Sequence, residues 1–79
     1  MIYRNHWEIE LTNHATLRAI EKEIFPDMIE ATIKGGRIKE FGKTHVKFIK
    51  EYKRGTVICV GIKRGGNKID ILTIEWGFI

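Results

Sequence analysis

The 79-residue chain has one cysteine and one proline, so neither an internal disulfide nor a proline-rich linker is available to it. No Cys-x-x-Cys pair exists, and the three histidines stand apart at 6, 14 and 45, which excludes the ligand spacing of a structural zinc site. Long apolar runs are also missing. The longest, Thr56 to Ile62, is far short of the ~20 residues that a membrane span requires, so no membrane role is expected. The N-terminal MIYRNHWEIEL alternates apolar and polar residues where a signal peptide would be continuously apolar, and a cytoplasmic protein with a reduced thiol is expected. A core this small rarely supplies more than roughly 3–5 kcal/mol. With disulfide and metal removed, oligomerisation remains as the means of adding to it.

What is present is positive charge, unevenly placed. The formal net charge is +4, but residues 1–33 carry −3, residues 34–54 carry +6 and residues 55–79 carry +1. The positive block contains Lys34, Arg37, Lys39, Lys43, Lys47, Lys50, Lys53 and Arg54, interleaved with Phe41, His45, Phe48 and Tyr52. Such a block suits the phosphate contacts of a nucleic acid. A lysine-rich sheet edge that discourages aggregation explains the same pattern without a ligand.

Alternation places Tyr3, Trp7, Ile9 and Leu11 on one face of a first strand. Thr12 or Asn13 then caps a helix over roughly residues 13–24, with Leu17, Ile20 and Ile24 as its apolar stripe. Pro26 suits the first position of a second helix, Met28, Ile29, Thr32 and Ile33 form its apolar side, and Gly35-Gly36 supplies a left-handed residue to end it. Period-two segments follow over Arg37 to Phe41, His45 to Tyr52, Thr56 to Lys63 and Lys68 to Trp76, joined by short turns that favour an antiparallel meander. The expected fold class is α+β in one domain over residues 1–79, ordered β-α-α-β-β-β-β, with two helices on a mostly antiparallel sheet. Thr56, Ile58, Val60 and Ile62 face one side, and Val57, Cys59 and Gly61 the other. In the last strand, Leu72, Ile74 and Trp76 alternate with Ile69, Ile71 and Thr73. Helices cover only one face of a sheet, so the other is expected to meet a second copy or a partner, or to be closed by the chain's own terminus.

His14 and Arg18 are four residues apart at the start of the first helix and project from one side. Imidazole transfers protons near neutral pH, and a guanidinium holds phosphate in bidentate geometry. Glu21 offers Arg18 an ordinary surface ion pair instead. His45 and Lys47 share a strand face and offer a second acid or base with charge stabilisation. Cys59, within an apolar run, reads as a small buried hydrophobe, and Arg64-Gly65-Gly66-Asn67 as a hairpin turn. Trp7 and Trp76 read as core residues.

The stretch NHATLRAIEKEIFPDMIEATIKGG resembles the opening of small bacterial and archaeal domains, grouped with RelE-like and BrnT-like proteins, that carry a His-Ala-x-x-Arg helix, and the final IDILTIEW resembles their closing strand. The resemblance spans about residues 9–76. It implies a RelE-like helix-on-sheet fold and a toxin of toxin-antitoxin type, cleaving RNA without metal or other cofactor by activating the ribose 2′-hydroxyl. It assigns His14 as acid or base, Arg18 as phosphate holder and Thr73 as hydrogen-bond donor to substrate. A cognate antitoxin and a homodimer through the C-terminal strands are the expected protein partners. Arg37, Lys39, Lys43, His45 and Lys47 are the expected RNA contacts. The late tyrosine of RelE toxins has no counterpart, since Trp76 and Phe78 stand in the last strand. A non-catalytic nucleic-acid-binding or regulatory module is the alternative.

Overall fold

The computed structural model describes residues 2–77, so Phe78 lies outside the described residues. Its elements are β1 (Ile2–Arg4), β2 (Trp7–Leu11), α1 (Asn13–Glu21), α2 (Pro26–Gly35), β3 (Arg37–Phe41), β4 (His45–Tyr52), β5 (Gly55–Arg64) and β6 (Lys68–Gly77). They form one α+β unit with a six-stranded sheet in the order β1-β2-β6-β5-β4-β3. The β3-β4-β5-β6 meander is antiparallel as the short turns predict, and the parallel β2–β6 pair brings the N-terminal half against the last strand.

The first strand of the sequence reading is two strands. Asn5 takes φ 56°, a left-handed conformation that Asn tolerates better than most residues, and reverses the chain. Tyr3 therefore pairs with Glu8 and leaves the face occupied by Trp7 and Ile9. The observed order is β-β-α-α-β-β-β-β.

Thr12 caps α1: its Oγ1 accepts from the Ala15 N–H at 3.1 Å and donates to the Ile71 carbonyl at 3.0 Å, joining helix start to sheet. The buried face of α1 differs from the expected stripe. Ala15 and Ala19 are fully buried, whereas Leu17 is 65% and Ile20 45% exposed. Two small residues allow the helix to lie close on β6. Ile24 is buried, but it follows the helix end. In α2 the predicted side holds, with Ile29, Thr32 and Ile33 buried, and the Thr32 and Tyr52 hydroxyls both donate to the Met28 carbonyl, at 2.7 and 3.0 Å.

Gly36 ends α2 without a left-handed turn, at φ −77° and ψ 173°. Its need for glycine is steric: a Cβ there would stand 2.4 Å from the Thr32 carbonyl oxygen and 2.6 Å from that of Ile49. The helix end is thereby pressed onto β4. Arg4 secures the same corner from β1, donating from Nη1 to the carbonyls of Ile33 and Gly36 at 2.8 and 2.7 Å.

Both helices lie on one face of the sheet, and the sheet curls toward them. The covered face carries Ile9, Val46, Phe48, Val57, Cys59, Ile69, Ile71 and Ile74, all buried. A register shift between Val60 and Gly61 pairs Val60 with Thr73 and Gly61 with Ile71, leaving Leu72 as the extra residue. This bulge corrects the reading of β6. Ile69 and Ile71 come to share the covered face with Ile74 and Trp76, Lys68, Asp70, Thr73 and Glu75 lie on the open face, and the bulged Leu72 is 40% exposed. Trp76 packs against the core and donates from Nε1 to the Lys22 carbonyl at 2.8 Å, and Trp7 packs at the same layer.

Candidate nucleic-acid interface

The open face is read directly from the register. On β3 and β4, Arg37 pairs with Ile49, Lys39 with Lys47 and Phe41 with His45, and paired residues project to the same side. On β5 the same side continues through Ile62 beside His45, Val60 beside Lys47 and Ile58 beside Ile49. Arg37, Lys39 and Lys47 therefore stand together with Phe41 and His45 on one side of the β3–β4 hairpin, and Lys43 occupies its turn.

Lys39 and Lys47 are directly opposite, an arrangement that costs free energy in a sheet unless an anion intervenes. Among the described residues the ion pairs use Arg18, Lys34, Arg54, Lys63, Arg64 and Lys68, and none reaches Arg37, Lys39, Lys43 or Lys47. The strip is positive and uncompensated. Phe41 is 38% exposed within it; the Lys47 ammonium lies 5.0 Å from its ring centre and the His45 ring 5.1 Å away at a tilt of 38°. His45 is fixed by a contact between Nδ1 and the Thr44 hydroxyl at 3.1 Å, which leaves Nε2 as the ring nitrogen without a partner among the described residues.

The +6 block of the sequence is divided by the fold. Lys34 pairs with Glu30 at 2.8 Å on α2, where the Lys34 hydrogen bond and charge hold the Glu30 carboxyl below its ordinary range. Arg54 reaches Glu23 at 3.5 Å and covers the Trp76 ring at 5.5 Å. Lys50 alternates to the covered side, 6.0 Å from the Tyr52 ring centre. Lys53, in the turn after β4, is exposed and enters no ion pair among the described residues, but it stands apart from Arg37, Lys39, Lys43 and Lys47, which the β3–β4 hairpin gathers.

His14 and Arg18 lie on α1, on the other side of the sheet from that strip. Both are exposed, and Arg18 Nε stands 3.8 Å from Glu21 Oε1, the surface pair that the spacing allows. Thr73 pairs with Val60 and so belongs to the open face. Among the described residues no hydrogen bond joins His14, Arg18 and Thr73, and the sheet separates the helix pair from the threonine. The arrangement expected from the His-Ala-x-x-Arg resemblance is therefore not a single constellation. No group of His, Cys, Asp or Glu residues suited to a metal occurs among the described residues.

Cys59 is fully buried on the covered face, and burial pushes its thiol up to about 12, the behaviour of a core residue. A cleft of about 230 Å³ opens on the covered side beyond the helices, between Trp7 and His6 at one wall and Ile38 and Glu40 at the other. Glu40 and Lys63 form an ion pair at its edge. Its residues come from three distant segments, so no local pattern announces it. Phe41 differs: its alternation with Lys39 is visible in the sequence, and the structure makes it the aromatic centre of the basic strip. Comparison with protein-family models, with curated proteins and with solved structures returns no match.

Proposed function

We propose that this chain is an RNA-binding domain of the RelE-like and BrnT-like type, holding the phosphate backbone along the open side of β3 and β4. The observation that carries this reading is the cationic strip, with Lys39 opposite Lys47 and none of its cations in an ion pair among the described residues. Arg37, Lys39, Lys43 and Lys47 contact phosphates, and Phe41 offers a ring on which an unstacked base lies. A helix pair followed by an antiparallel sheet is the order that the resemblance calls for.

A second reading, metal-independent cleavage of toxin type, is favoured by the presence of His45 inside the strip. Its imidazole accepts the 2′-hydroxyl proton as the 2′-oxygen attacks the adjacent phosphorus. The bond from phosphorus to the 5′-oxygen breaks, Lys47 protonates that oxygen, and a 2′,3′-cyclic phosphate and a 5′-hydroxyl result. In this version His45 takes the role that the resemblance gives to His14.

Fluorescence anisotropy with labelled single-stranded RNA, in EDTA, tests both readings. Binding is expected to weaken steeply with salt and to fall in Lys39→Gln and Lys47→Gln. Cleavage that His45→Ala abolishes and His14→Ala spares supports the second reading; binding without turnover leaves the first alone; no binding at low salt overturns both.

A further inference from the structure

The open face has a second property. Its cross-strand rows are His45–Ile62–Asp70, Lys47–Val60–Thr73 and Ile49–Ile58–Glu75. An apolar column on β5, made by Ile58, Val60 and Ile62, is thus flanked by His45 and Lys47 on β4 and by Asp70 and Glu75 on β6. Asp70 also holds Arg64, at the end of β5, at 3.0 Å, and Ile49, 7% exposed, adds little surface. Beyond these, β3 adds Arg37 and Lys39, while β2 adds Glu8 and Glu10 beside Lys68 and Asp70. The face is cationic on β3 and β4, and on β6 and β2 it carries an excess of carboxylates, of which Asp70 and Glu8 pair with Arg64 and Lys68; its apolar residues lie at the centre.

We propose that this face binds a second copy of the chain, sheet against sheet, about a two-fold axis that runs along β5. That rotation lays β4 of each copy over β6 of the other. His45 then faces Asp70 of the second copy, and Lys47 lies beside its Thr73 and Glu75. Ile58, Val60 and Ile62 meet their own counterparts on the axis. A two-fold across the strands instead stacks β4 on β4 and β3 on β3, bringing Arg37, Lys39 and Lys47 against the same cations. Charge selects the first axis.

Curvature sets the size of the contact. The sheet wraps toward its helices, since Arg4 on β1 reaches the end of α2 and one cleft is walled by both Trp7 and Ile38. The open face is therefore convex, and two such faces touch along β4, β5 and β6 with an apolar middle and a charged rim. A contact confined to three strands belongs with small, readily dissociating interfaces. Because His45 and Lys47 are used in it, the second copy and RNA exclude one another, and dimerisation masks the strip. This goes beyond the RNA reading and is tested without RNA.

Sedimentation velocity across the micromolar range is expected to show a monomer–dimer equilibrium. Val60→Lys places like charges on the axis and shifts its midpoint by roughly tenfold or more toward monomer, with circular dichroism checking that the variant is folded. Val60→Cys is expected to give a disulfide-linked dimer on mild oxidation, whereas the native chain, with Cys59 buried on the other face, gives none. Lys47→Glu is expected to weaken the dimer, and Lys47→Glu with Glu75→Lys to restore it. A monomer at every concentration overturns the proposal. A dimer indifferent to Val60→Lys that also fails to cross-link through Val60→Cys uses another surface and overturns it equally; absence of the charge-swap rescue overturns the axis.

Discussion

The two sides of β5 are built from one run of apolar residues and end in opposite situations. Val57 and Cys59 are fully buried beneath the helices, while Ile58 and Val60, their immediate neighbours, are half-buried on a face that no element of the described chain covers. Apolar side chains alone therefore do not mark the core. What marks it is agreement with the neighbouring strands. On the covered side β4 and β6 also contribute Phe48, Val46, Ile71 and Ile74, whereas on the open side they contribute Lys47, His45, Asp70 and Glu75, with Ile49 the one buried apolar residue that β4 places there. The first face is a core, and the second is a charged surface with an apolar seam.

The largest test of this contrast is Phe48→Ala. Phe48 is 1% exposed, and its removal is expected to cost about 3–5 kcal/mol in urea denaturation, with loss of the folded state at moderate temperature. A cost under about 1 kcal/mol would mean that the covered face is not the core. A matched pair sharpens the comparison. Val57→Thr buries a hydroxyl with no partner and is expected to cost about 1–3 kcal/mol; Val60→Thr, one step along on the open side, is expected to change monomer stability by less than about 0.5 kcal/mol. Equal costs would erase the distinction between the faces.

Cys59 provides a smaller effect that depends on pH. Burial raises its thiol from 9.0 to about 12, so between those values the unfolded chain loses a proton that the folded chain keeps. Stability is therefore fully present below pH 9 and falls with a slope of up to about 1.4 kcal/mol per pH unit as the pH rises toward 12. Cys59→Ala is expected to remove that component of the alkaline slope, read as the difference between the two proteins in urea midpoints against pH. Identical slopes would place the thiol in solvent.

Much of this fold was legible in the residues because its later strands are locally consistent. The alternation over Arg37 to Phe41 and His45 to Tyr52 reproduces the observed strands, and Pro26 marks the start of α2. Three features depended on contacts that no window contains. Asn5 turns back so that β1 can pair with β2, the Val60/Gly61 bulge exchanges which β6 residues meet the helices, and Ala15 and Ala19 displace Leu17 and Ile20 from the inner side of α1 because close approach to β6 outweighs side-chain size. The basic strip was legible for the same reason as its strands, since Arg37, Lys39 and Lys47 fall on one parity of two paired segments. His14, Arg18 and Thr73 were drawn together by a motif resemblance, and strand parity then set Thr73 on the far side of the sheet from the helix pair.

The measurement that bears most directly on the function is the salt dependence of RNA binding in the native chain and in Lys39→Gln/Lys47→Gln. Each lost phosphate contact lowers the slope of log affinity against log salt by about 0.7 for a single strand, so the double variant is expected to reduce it by about 1.4 at unchanged stability. An unchanged slope, with RNA still bound, would place the phosphates elsewhere and contradict the assignment of the β3–β4 face.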